Sequence, residues 1–181
     1  MNTQLTTPPV KAQKRVIFFI ASAIGLYLVW YILYELWLLP HSGLNQWLNH
    51  QTAQAGTGLL RLFGFNTSVQ KSDIFLNNRR LLHIGNPCNA LEFFALFSGF
   101  IMLFPGPWKV KFLFIPAGIL LIFLLNIARV ALLVVNYHYS HRTFDFNHKY
   151  TYSFFIYLVI FGMWMLWVNR FATRITLKQQ E

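Results

Sequence analysis

Residues 112–135 read FLFIPAGILLIFLLNIARVALLVV, twenty-four residues with a single charge, Arg129. A helix needs about 20 apolar residues to cross the hydrocarbon layer of a bilayer, so this stretch predicts a membrane span. Working outward, residues of about 16–39, 88–104 and 150–171 have the same character. The first of these is too long for a signal-peptide core and no small-residue cleavage site follows it, so it is expected to stay in the membrane. Composition agrees. The 181 residues are 56% hydrophobic and 18% aromatic, only 11% are charged, and mean hydropathy is +0.45. Soluble domains carry about 25% charged residues. The expected fold is all-α: a polytopic membrane bundle of about four transmembrane helices in a single domain over 16–171, with tails at 1–15 and 172–181.

A net charge of +10 would suggest nucleic acid in a soluble protein. Here the basic residues flank apolar spans: Lys11, Lys14 and Arg15 before the first, Lys109 and Lys111 between the second and third, and Arg170, Arg174 and Lys178 after the last. The positive-inside rule accounts for them without a nucleic-acid partner. It places both termini in the cytoplasm, in a bacterial inner membrane, with residues 40–87 and 136–149 outside. Arg61, Lys71, Arg79, Arg80, Arg142 and Lys149 on that outer side moderate the bias. Within 40–87, Leu44, Trp47, Leu48, Leu59, Leu60 and Phe63 are spaced for a helix lying in the membrane interface, weakened by Gly56 and Gly58. The stretch VQKSDIFLNNRRLLHIG, residues 69–85, predicts a short β-hairpin about the turn-prone Asn77-Asn78.

Chemistry is expected at that outer face. Cys88, in GNPCNALEFF (85–94), is the sole cysteine, which excludes an internal disulfide and any two-cysteine redox cycle. With Asn86 as N-cap and Pro87 at the first helical position, Cys88 would occupy the first turn of a helix, where free N–H groups and the helix dipole favour a thiolate. A small packing side chain is the plain alternative. Glu92 falls one turn further along the same face. Arg129 lies about 10 Å below the outer end of its span. It could pair with Glu92, hold a thiolate or receive an oxyanion, with Asn126 three residues earlier to orient it. An interhelical Arg129–Glu92 pair, or an arginine snorkelling to the surface, is the structural alternative. His148, in FDFNHKYTYSFF, opens the last span and is the natural base for a thiol, in competition with His83, His138 and His141 or with a role as an interfacial anchor. A zinc site from His138, His141 and Asp145 or His148 is a weaker reading. Ser98-Gly99 lacks the glycine two residues before a serine nucleophile, and Asp73 and Asp145 are loop residues, so neither serine nor aspartyl chemistry is expected within the membrane. No metal and no cofactor are expected.

With these spans in place the chain resembles the exosortase/archaeosortase family of membrane cysteine transpeptidases. The resemblance is carried by Cys88 in CNALE opening a span, by NIAR (Asn126 to Arg129) late in the next, and by His148 opening the last. It covers about residues 59–170, including the strand-like stretch before the cysteine. It implies catalytic roles for Cys88, Arg129 and His148, with Glu92 and Asn126 supporting. The partners it implies are exported proteins whose C-terminal sorting signal has a short motif, a transmembrane helix and a basic tail. Cleavage near the motif would pass the acyl group to an acceptor. Many members have glycine two residues after the cysteine and four after the histidine, where this chain has Ala90 and Tyr152. Many have about eight spans, so the chain is similar to a compact variety. The rival expectation is a non-enzymatic membrane assembly or export partner in which Cys88 merely packs.

Overall fold

A computed structural model describes residues 21, 24, 25, 27–38 and 43–172. The expected tails, apart from Ala172, and the early part of the 16–39 span lie outside the described residues. The chain divides into two compact units, Met1–Pro40 and His41–Glu181. In the first, helical residues 27–31 run into a π-helical turn, Ile32–Leu38. Aromatic rings four residues apart stack along it, Tyr27 on Tyr31 and Trp30 on Tyr34.

The second unit begins with α1 (Leu44–Leu62), followed by three antiparallel strands, β1 (Thr67–Gln70), β2 (Asp73–Leu76) and β3 (Arg79–His83), in the order β1-β2-β3. The sheet is thus one strand larger than the expected hairpin. Its second turn is as predicted: Asn77 and Asn78 have φ of 51° and 63°, the double left-handed pattern that joins strands by two residues. The first turn uses Lys71 in the same region, φ 55°, where sequence carries no such signal. One face of β2 is apolar and buried (Ile74, Leu76), and Ile74 packs into a core with Ala53 of α1, Cys88 and Val130.

Asp73 ties the hairpin across its open face, 2.6 Å from His83 Nδ1 and 2.9 Å from Arg80 Nη2. The His83 hydrogen bond, with Arg80 beside it, holds the Asp73 carboxyl below the usual carboxylate range. A folded-state pKa that is depressed gives stability that is complete above the unfolded-state value and is lost as pH falls through the folded one. Acid should therefore loosen β2–β3 before the helices. The pair is solvent-screened, so its effect is under about 1 kcal/mol. Amide exchange at residues 73–83 should show this acid sensitivity, and Asp73→Asn should lack it.

A 3₁₀ turn, Asn86–Cys88, leads to α2 (Leu91–Leu103), then α3 (Trp108–Tyr139), α4 (His141–Phe146), a π-helical turn Asn147–Thr151, α5 (Tyr152–Trp167) and a final π turn, Val168–Ala172. Two helical stretches are long and apolar enough to cross a membrane, Trp108–Tyr139 and the run Arg142–Phe171. These match the third and fourth expected spans; much of the first, 16–39, lies outside the described residues. With 13 residues, α2 is only about 20 Å long, against the 30 Å or so of hydrocarbon. It packs against α3 and α5 through Phe93, Phe97 and Ile101, while Leu96, Met102 and Leu103 are exposed. Phe93, Phe97, Ile101, Ile122 and Ile160 make the second core. There Gly118 of α3 lets the backbone approach the ring of Phe97 so closely that a Cβ would sit 2.2 Å from it. Lys111, buried in the first turn of α3, donates to the carbonyls of Met102 and Phe104 at 2.9 and 2.8 Å and so closes the open end of α2.

The α1 helix is not the simple interfacial helix expected. Its buried face mixes two leucines, Leu48 and Leu60, with a run of small and polar residues: Asn45, Asn49, Thr52, Ala53, Gly56 and Thr57. Leu44, Trp47 and Phe63 are exposed. That small face lies along α3, where a Cβ on Gly56 would stand 2.8 Å from Val130 Cγ1. Gly56, read from sequence as a weak point, is the place of closest approach.

Candidate active site

The Cys88 turn sits at the join of both cores, and four elements hold it. Ile84, at the end of β3, anchors its entry. The expected helix start needs correction, because Cys88 precedes α2 instead of beginning it. Between them Ala90 is left-handed, φ 64° and ψ 6°, and the Leu91 N–H is taken by Asn89 Oδ1 at 3.0 Å. The leading donor of α2 is therefore spent on Asn89 instead of the thiol. Asn86 does not cap a helix. Its Oδ1 accepts from Asn49 Nδ2 at 3.1 Å.

Cys88 is 5% exposed, and its Sγ lies 3.3 Å from His148 Nε2, within reach of proton transfer. The imidazole stands in the π-helical turn that precedes α5. Its ring stacks on Phe144, one turn earlier, at 5.7 Å and 12°. π turns widen the helix and change which carbonyls are used internally. The His148 carbonyl here accepts from Arg129 Nη2 at 3.4 Å.

Arg129 and Asn126 both face this point from α3, 5% and 0% exposed. Asn126 Nδ2 donates to the Cys88 carbonyl at 2.7 Å, and its Oδ1 accepts from Arg129 Nη1 at 3.4 Å. Both Arg129 bonds are long, hence weak, and its Nε has no partner among the described residues. No carboxylate pairs with it there either, since the ion pairs among the described residues are those of Asp73. A buried cation with unused donors is costly and is a standing site for negative charge.

The structure thus brings Cys88, His148, Arg129 and Asn126 together. It leaves out Glu92, which is exposed. The one-turn spacing from Cys88 to Glu92 requires an unbroken helix, and left-handed Ala90 breaks it. Glu92 instead sits in the first turn of α2, where its charge suits the helix dipole. Of the competing histidines, His83 is bonded to Asp73 and His138 lies edge-on to Tyr139, while the side chain of His141 is outside what the structure describes. Among the described residues, no three histidine, cysteine or carboxylate groups converge as metal ligands would.

Sequence reasoning missed Asn45, Asn49 and Asn89. The signal was present, an Asn-x3-Asn-x2-Thr stripe on one helical face of 45–52, but attention went to the apolar residues of the same helix.

A thiol, an imidazole and an unbalanced guanidinium thus meet in a mostly helical chain with two helical stretches long and apolar enough to cross a membrane. The chain belongs to the transmembrane exosortase family, whose model matches residues 11–169. It is therefore a membrane protein of a family of cysteine transpeptidases. No curated protein and no solved structure matches it.

The two departures from the family pattern differ physically. Tyr152 has ordinary helical geometry, φ −72° and ψ −34°. Ala90 occupies the conformation that glycine adopts without strain. Ala90→Gly would relieve about 1–2 kcal/mol of strain, offset by one lost methyl (about 0.8 kcal/mol) and by a freer unfolded chain. The change should be neutral within about 1 kcal/mol, whereas Ala90→Val should cost about 1–3 kcal/mol, since β-branching disfavours this region. Thermal unfolding in detergent distinguishes the two.

Proposed function

We propose that the protein is a membrane-embedded cysteine protease and transpeptidase that cleaves C-terminal sorting signals of exported proteins at the outer face of the membrane. The contact of Cys88 Sγ with His148 Nε2, beside the unbalanced Arg129, carries this reading. His148 Nε2 takes the thiol proton while Sγ attacks the scissile carbonyl carbon of the substrate. Negative charge moves to the carbonyl oxygen, where the unused donors of Arg129 meet it. The C–N bond breaks, the amine departs with the proton held by His148, and the acyl group remains on Sγ as a thioester. An acceptor then gives its proton to His148 and attacks the thioester, and the thiol returns with that proton.

The basic residues at 11–15, 109–111 and 170–178 support an orientation with both termini in the cytoplasm of a bacterium and the thiol outward. The substrate's basic tail would then lie on the same side as these groups, while its transmembrane helix lies beside the bundle and its motif meets Cys88.

The test is to express the chain with a reporter ending in such a signal and to look for the acyl-enzyme. A hydroxylamine-sensitive adduct on Cys88, together with loss of the reporter's tail, is the expected result. Intact cleavage after complete alkylation of Cys88 would overturn the proposal. A reporter that binds but is never cut, by wild type or variant, would favour an export partner instead.

A further inference from the structure

We propose that Asn45 of α1 is a positioning residue for Cys88, acting through Asn89 to hold the thiol against His148. The inference rests on the function proposed above and extends it to a helix that contributes no group to the chemistry. Asn89 Nδ2 donates to Asn45 Oδ1 at 2.9 Å, with the two residues 0% and 5% exposed. The direction of this bond is set by the backbone. Asn89 Oδ1 is already committed to the Leu91 N–H, so its amide nitrogen must face Asn45, and Asn45 must present its oxygen. Asn45 Nδ2 is then left buried with no partner among the described residues.

Such an arrangement is poor as a device for stability. Two amides are desolvated and one donor goes unpaired, so the bond adds little net stability. What the bond supplies is location. The segment from Cys88 to Leu91 contains left-handed Ala90, a conformation that persists only where the surroundings over-determine it. Constraints come from both sides. From α3, Asn126 holds the Cys88 carbonyl, and from α1, Asn45 holds Asn89 and Asn49 holds Asn86. Of the side chains with buried unpaired polar atoms, four lie in this stripe or at the thiol: Asn45, Asn49, Thr52 and Arg129. The polar shell is concentrated where placement matters.

The test uses the full chain in liposomes and follows alkylation of Cys88, the only thiol, by N-ethylmaleimide against pH. The titratable groups facing the thiol are His148 and Arg129; Asp145 and Lys149 lie near His148, and Tyr157 lies near Arg129. Access to the reagent changes the plateau rate, whereas placement against His148 changes the pH midpoint. His148→Ala should move the midpoint, and Asn45→Leu should move it the same way, changing the rate at neutral pH by about tenfold, as expected for coupled neighbours. In the His148→Ala background Asn45→Leu should add nothing, and its melting temperature should stay within a few degrees of wild type, since leucine removes the unpaired Asn45 Nδ2 but leaves Asn89 Nδ2 without its acceptor.

A wild-type profile in Asn45→Leu overturns the inference, as does a shift that adds in full to that of His148→Ala, because a general loosening would behave so. Asn45→Ala provides the smaller side chain should leucine not fit. Failure of both variants to fold assigns Asn45 to the fold alone and also overturns the inference. A profile that ignores His148→Ala sinks the thiol–imidazole mechanism itself, and the inference with it. Response to His148→Ala without response to Asn45→Leu removes only the inference.

Discussion

Cys88→Ala should leave a folded membrane protein that cuts no sorting signal. The substitution removes one sulfur from a core that includes Ile74, Ala53 and Val130. Stability should therefore fall by no more than about 1 kcal/mol. Cleavage depends on the only nucleophile touching His148 and should drop by about 10⁴-fold or more, below detection in a processing assay. Cys88→Ser is the sharper version. It keeps a hydroxyl at nearly the same place, but an alcohol is far harder to deprotonate than a thiol, so an imidazole to which no carboxylate is hydrogen-bonded among the described residues is an inadequate base. Immunoblotting for the uncut reporter, alongside thermal unfolding of the purified variant, checks both halves of the expectation. Cleavage at wild-type rate in Cys88→Ala would remove the nucleophile assignment.

Arg129→Ala is expected to lower turnover by about 10²–10³-fold, the effect of losing one preorganised donor to a developing oxyanion. The guanidinium also touches the His148 carbonyl and Asn126 Oδ1, at 3.4 Å each, so part of the loss would come from freeing the imidazole. Arg129→Lys separates the two contributions. It keeps the charge but presents a point donor in place of a fork that reaches several acceptors. If charge dominates, lysine should recover most of the rate. If the fork dominates, lysine should resemble alanine. In both variants kcat should fall more than KM rises, since the interaction strengthens as charge develops. A change confined to KM would instead assign Arg129 to substrate docking.

The membrane character, the outer sheet turn at Asn77-Asn78 and the convergence of Cys88, Arg129 and His148 were legible because each rests on a local rule: apolar length, turn chemistry, or a charge where charge is costly. What was not legible depended on geometry between elements. Glu92 was placed beside Arg129 by assuming an unbroken helix from Cys88 onward, and left-handed Ala90 is invisible in the residue type alone. The length of α2 was not legible either: the apolar run 88–104 holds a 3₁₀ turn and left-handed Ala90 before a helix of 13 residues begins. The first strand, Thr67–Gln70, lacks a turn signal before β2, since Lys71 adopts positive φ without being glycine or asparagine. The Asn45–Asn89 bond joins positions 44 residues apart, and only a fold brings them together.

The length of α3 has a consequence for the lipid around it. Its 32 residues form one rod of about 48 Å, tied at its start to the end of α2 by Lys111. If a hydrocarbon layer of about 30 Å begins after Lys111, it ends near Ala131, just past Arg129. A rod so placed would act as a gauge of bilayer thickness. In thin membranes the guanidinium stands at the water boundary, and in thick ones it is drawn into oil together with the thiol and imidazole. Acyl-chain length should consequently tune this protein's output as directly as a point substitution does, without altering a single contact inside it.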